Sequence, residues 1–182
     1  MINSSKCLLI LGCLLFHLQQ LSAQDNVARL TTIIGSHIEF NFNSLDKYNT
    51  GITVTNGTTI GITMSEIAPA VLTGWHLDFQ TWMGQPTIDG AVGNTLPLNT
   101  IQIEATDANG NLAAAVFNGL QDLAVSPGNT LMSTTDLAHR PADANTHQIN
   151  LSYECGIANG SLLGQSSDYY TVEVEVILIP DF

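Results

Sequence analysis

The run Tyr169-Tyr170-Thr171-Val172-Glu173-Val174-Glu175-Val176-Ile177-Leu178-Ile179-Pro180 constrains this chain more than any other stretch. Tyr170, Val172, Val174, Val176 and Leu178 share one parity, and Thr171, Glu173, Glu175, Ile177 and Ile179 share the other. A period of two in β-branched and aromatic residues predicts a long strand with one apolar face. The second face begins acidic and turns apolar, so its far end is expected to be covered on both sides. Such a strand needs a sheet beside it and a second layer beneath it.

The rest of the chain repeats that period. Leu30–Ile34 and His37–Phe42 read as the first strands, the latter with Ile38, Phe40 and Phe42 inward. Two Thr/Ile/Val runs, 51–55 and 58–63, flank Asn56-Gly57, the signature of a type I′ hairpin. Gly74–Trp82 places Trp75, Leu77 and Phe79 on one face and His76, Asp78 and Gln80 on the other, which predicts a central core strand. Met83–Asn99, rich in Gly and Pro, reads as a long loop. Residues 100–105 and 112–117 read as a second hairpin around Asp107–Asn111. Short strands are expected within 120–125, 130–133 and 146–155, and a polar loop over 135–145. Turn signals at this spacing predict an all-β, antiparallel β-sandwich, immunoglobulin-like or jelly-roll-like, of about 8–10 short strands.

The first 23 residues read as a secretory signal peptide. They carry one positive charge (Lys6), the apolar run Cys7–Phe16, and small residues Ser22-Ala23 before Gln24. Ten apolar residues are short for a membrane span. Cleavage there leaves 24–182 as one β-sandwich domain with no transmembrane segment, exported to the periplasm, the cell surface or the medium. That chain holds three basic residues (Arg29, Lys47, Arg140) against sixteen acidic ones, a net charge near −13. No basic patch can form, which argues against nucleic acid as a partner. One cysteine, Cys155, remains in a strand-like context, so an internal disulfide is excluded and a small buried hydrophobe is expected.

Catalytic motifs are missing: there is no Gly-x-Ser-x-Gly, His-Glu-x-x-His or Cys-x-x-Cys, and no phosphate-cradling glycine loop. His37, His76, His139 and His147 lack metal-ligand spacing. His76 and Asp78 share a strand face about 7 Å apart, a spacing open to an acid/base pair but expected of any polar sheet face. Glu173 and Glu175 repeat the pattern, and charges on an edge strand discourage sheet-to-sheet aggregation. Asp107-Ala108-Asn109-Gly110-Asn111 begins like a calcium loop but runs on into Leu112 without the closing Glu, and Asx and Gly are equally what a turn needs. No enzyme activity, cofactor or metal is assigned. Trp82, of opposite parity to Trp75, is expected to be exposed and able to stack on a sugar, with the Met83–Asn99 loop and the 135–145 loop, which holds His139 and Arg140, forming the rest of a binding surface.

Gly74-Trp75-His76-Leu77 resembles the first Trp-x-Leu motif of the WxL cell-surface domains, which implies noncovalent attachment to a bacterial wall or surface. The second Trp-x-Leu motif of those domains is missing, and Val172-Glu173-Val174 stands where it is expected. In outline the chain is also similar to subunits of extracellular fibres, which implies that Asn26–Phe42 completes a neighbour's sheet, against the alternative that Leu30–Phe42 folds into the chain's own sandwich. The expectation is a secreted bacterial cell-surface or extracellular structural and adhesion protein, self-associating or binding a cell-surface or glycan partner. A soluble carbohydrate- or ligand-binding module is the alternative.

Overall fold

A computed structural model describes residues 28–64, 73–112, 114–135, 141, 143–158 and 162–181. The chain is all-β and antiparallel, in a sandwich-like arrangement of three sheets. The five-stranded sheet orders β1 (Ala28–Ile34), β2 (Ile52–Met64), β10 (Gln148–Cys155), β6 (Ile101–Asp107) and β8 (Gln121–Asp122). The four-stranded sheet orders β12 (Val174–Asp181), β3 (Gly74–Thr81), β9 (Asn129–Thr134) and β7 (Val116–Phe117). A small third sheet joins β11 (Tyr170–Thr171), β4 (Thr87–Gly90) and β5 (Thr95–Pro97).

One core lies between the two larger sheets. Ile60 and Ile62 of β2, Ile103 and Ala105 of β6, and Ile149 and Leu151 of β10 form one wall. Trp75, Leu77 and Phe79 of β3 with Leu131 and Met132 of β9 form the other. The alternation in Gly74–Thr81 therefore lands as expected: Trp75, Leu77 and Phe79 are at most 1 % exposed. Val176 faces Phe79, Leu178 faces Leu77 and Pro180 faces Trp75 across the β12–β3 ladder, so the Val/Leu face of the C-terminal run closes the core.

That run is not one strand, however. The chain breaks at Val172-Glu173: Tyr170-Thr171 pairs with β4 and Val174–Asp181 with β3. The ladder also continues through Pro180. The Trp82 N–H bonds the Glu173 carbonyl at 2.9 Å, so residues of Glu173's parity turn their backbone groups to β3. Val174, Val176, Leu178 and Pro180 turn theirs to the open edge, where proline removes no ladder bond.

Asn56-Gly57 does not turn the chain. β2 runs 13 residues through it, and Asn56, at φ 51°, forms a bulge where the β10 register slips opposite Ser152. The Asn56 N–H donates to Ser152 Oγ at 3.0 Å. The positive φ that favours Asn in a hairpin serves here to bend a continuous strand. Gly35, at φ 71°, passes so close that a Cβ would strike the Gly57 carbonyl. Thr58 Oγ1 donates to the Gly35 carbonyl (2.6 Å) and meets the Tyr153 hydroxyl at 2.7 Å, tying β1, β2 and β10 together.

Three further expectations are corrected. His37–Phe42 is irregular, although Ile38, Phe40 and Phe42 are half-buried as their parity requires. It leads into a short helix, α1 (Leu45–Thr50), capped by Ser44 and ended by Gly51 at φ 77°. Phe42 packs on Tyr48 with ring centroids 5.3 Å apart. Met83–Asn99 is no loop, because β4 and β5 pair as a hairpin within it. Residues 112–117 form no hairpin with β6: Val116-Phe117 joins β9 in the opposite sheet, so the chain crosses the sandwich here. Asp107 drives that departure, its carboxylate accepting the N–H groups of Asn109 (3.1 Å), Gly110 (2.9 Å) and Leu112 (2.7 Å).

Candidate functional site

The outer face of the four-stranded sheet gathers most of the residues singled out from the sequence. Along β3 and its extension the even-numbered side chains His76, Asp78, Gln80 and Trp82 point away from the core. β12 sets Ile179, Ile177, Glu175 and Glu173 opposite them in that order. β9 contributes Thr130 and Ser133 on the other side.

Each polar row is internally matched. Gln80 Nε2 donates to Glu175 Oε1 at 2.6 Å. Thr130 Oγ1 donates to Asp78 Oδ1 at 2.6 Å. His76 Nδ1 lies 2.8 Å from Asp181 Oδ1; a carboxylate only accepts, so the proton sits on Nδ1. His76 Nε2 is 3.6 Å from Asp78 Oδ2. The two carboxylates thus occupy opposite nitrogens of one imidazole and do not converge with it on a single point. Among the described residues no group of three His, Cys, Asp or Glu side chains is arranged to hold a metal ion. Thr130 donates to the Asp78 carboxylate and not to the imidazole, so these side chains pair along the strand rows.

Trp82 closes the strip at one end and is 50 % exposed. It opens a single 3₁₀ turn, Trp82–Gly84, in which Met83 sits at φ 52° and is 87 % exposed. A left-handed methionine costs about 1–2 kcal/mol. Thr81 is fully buried and its Oγ1 donates to the Gln85 carbonyl (2.8 Å), which holds the turn in that shape.

The other sequence candidates are dispersed. His139 and Arg140 lie outside the described residues. His147 belongs to the turn before β10, where its Nδ1 lies 3.0 Å from Thr146 Oγ1. Asn109 and Asn111 spend their amides on the Asn145 and Thr146 carbonyls, and with the Asp107 carboxylate bound to backbone these oxygens and amides build a turn. In Trp75-His76-Leu77, Trp75 and Leu77 serve the core and only His76 reaches the surface. Cys155 is buried, and desolvation pushes its thiol up to about 12. Asp181, Thr130 and Gln80 were missed as site residues. Asp181 shares the parity of Ile177 and Ile179, but Pro180 hides the continuation of the strand. Thr130 has no sequence signal, since only the β3–β9 register brings it to Asp78.

At the opposite edge of chemistry, the backbone itself is a candidate surface. β1 and β12 are the edges of their sheets and lie against each other on one flank. The other flank ends in β8 and β7, two residues each. Two-residue edges, and an edge bearing Glu175 and Pro180, offer little to an incoming strand. β1 carries neither protection over Leu30–Ile34, where Ile33 and Ile34 are 40 % and 61 % exposed. The Ile62 N–H bonds the His147 carbonyl, which turns Gly61 and Thr63 toward β1 and leaves the backbone groups of Ala28, Leu30 and Thr32 facing outward.

Among the described residues no helix is long and apolar enough to cross a membrane. The chain matches no protein-family model and no curated protein sequence.

Proposed function

We propose that this is an exported bacterial surface or extracellular structural protein that works by contact and not by catalysis, self-assembling through its first strand. The single observation behind this reading is the unprotected β1 edge: seven residues, uncharged after Arg29, with exposed isoleucines, on a molecule whose other described edges are short or carry charge and proline. Strand addition to such an edge draws affinity from backbone hydrogen bonds, with side chains setting register. The N-terminal sequence, read as a signal peptide, supports export, and the acidic charge keeps an extracellular chain soluble before it assembles.

Light scattering after size exclusion, and electron microscopy, on the chain from Gln24 test this. Concentration-dependent oligomers or fibres are expected, and Thr32→Lys, which places a charge at the edge, is expected to return them to monomers. A strictly monomeric chain that neither polymerises nor binds cells rules the reading out.

A further inference from the structure

We infer that the outer face of the four-stranded sheet is a binding strip for a neutral oligosaccharide. This surface is separate from the β1 edge and does not depend on self-assembly. From His76 to Trp82 the strip runs six residue steps along β3 and just past its end, about 20 Å, or the length of several sugar rings. Three features together select the ligand class.

The first is the aromatic end. Trp82 is half exposed on a turn whose shape is held by the buried Thr81 hydroxyl. An exposed indole carried on a backbone so held is a stacking platform for the apolar face of a pyranose ring, and with two side-chain torsions it loses little conformational entropy on contact.

The second is the pairing of donors with acceptors. Gln80 with Glu175, Thr130 with Asp78, and His76 with Asp181 each set a donor against a carboxylate. Thr130 and His76 spend these protons on their carboxylates, whereas the Gln80 amide has a second N–H beside Glu175; a sugar hydroxyl both donates and accepts, so vicinal hydroxyls suit that donor among carboxylate acceptors. A cationic peptide would be served by acceptors alone, and here each of these three carboxylates already has one oxygen engaged by a neighbour.

The third is charge. Every ionised side chain of the strip is a carboxylate: Asp78, Glu173, Glu175 and Asp181. The described cations, Arg29 and Lys47, sit on β1 and α1. An anionic polysaccharide is therefore repelled. Ile177 and Ile179, half-buried opposite Asp78 and His76, add apolar contact in the middle of the strip.

The test uses the chain from Gln24, titrated with cellohexaose, xylohexaose and mannohexaose by calorimetry and tryptophan fluorescence, with hexalysine as the cationic comparison. At least one neutral hexaose is expected to bind and to perturb the emission of the exposed indole. Trp82→Ala is expected to weaken that binding about tenfold or more, the scale of one aromatic contact. Gln80→Ala should weaken it several-fold. Circular dichroism of the Trp82→Ala protein checks that the fold survives, and Trp82→Phe should recover part of the affinity. No binding of any hexaose, binding indifferent to Trp82→Ala, or salt-sensitive binding of hexalysine in preference to the sugars would overturn the inference.

Discussion

Single side chains in this sandwich take their properties from the sheet position they occupy. Cys155 ends β10 facing the interior, and burial raises its thiol from 9.0 to about 12. Tyr153, two residues earlier, is also raised, by burial first and against the opposing effect of its hydrogen bond with Thr58. Both groups are neutral in the folded chain at pH values where the unfolded chain ionises. The thiol's contribution is therefore complete below pH 9 and is lost as the pH climbs from 9 toward 12, by up to about 1.4 kcal/mol per unit, and the Tyr153 contribution falls in the same direction above pH 10. Urea melts at pH 8 and pH 10.5 should show the loss, and Cys155→Ala should flatten the thiol's share of it. At pH 8 the native thiol should resist a disulfide reagent until the chain unfolds. Asp168 shows the opposite direction. Desolvation works against its charge, but the Asn94 amide and the N–H groups of Tyr169, Val92 and Ala91 outweigh it and hold the carboxyl below its usual range. Asp168→Asn should accelerate hydrogen exchange at the Ala91 amide, which bonds the Tyr169 carbonyl and fastens β11 to β4.

At the scale of elements, the apolar alternation survives while turn signals are reassigned. β3 reads the same in sequence and structure because its alternation decides burial directly. Asn56-Gly57 reads as a hairpin locally, yet β1 on one side and β10 on the other both pair with residues beyond it, so continuing the strand satisfies more backbone than turning would. Gly61 shows how closely these elements pack. A Cβ there would crowd the Ala144 backbone, which crosses the outer face of β2. Gly61→Val should therefore cost roughly 1–3 kcal/mol by overpacking, measured as a lower urea midpoint with an unchanged slope. Gly84→Ala, with open space at its Cβ but φ 70°, should cost only about 1 kcal/mol from the left-handed backbone.

The whole molecule stands on one core shared by its two larger sheets, with Cys155 a free thiol. Phe79→Ala empties the centre of that core and should cost about 3–5 kcal/mol. Both sheets should melt in one transition by near- and far-ultraviolet dichroism, since neither has an inner face of its own to retain. The amino-acid order by itself determined the all-β class, the inward Trp75, Leu77 and Phe79, the Val/Leu face that meets them and the exposure of Trp82. Burial and alternation are local properties, written residue by residue at a period of two. Only the tertiary structure decided that β2 runs through Asn56-Gly57, that residues 112–117 cross to the other sheet, and that Asp181 and Thr130 join His76 and Asp78 on one face. Those outcomes depend on which strands lie side by side and in what register, and pairing between residues 52 to 105 positions apart is set by the shared core and the backbone hydrogen bonds it leaves to be filled.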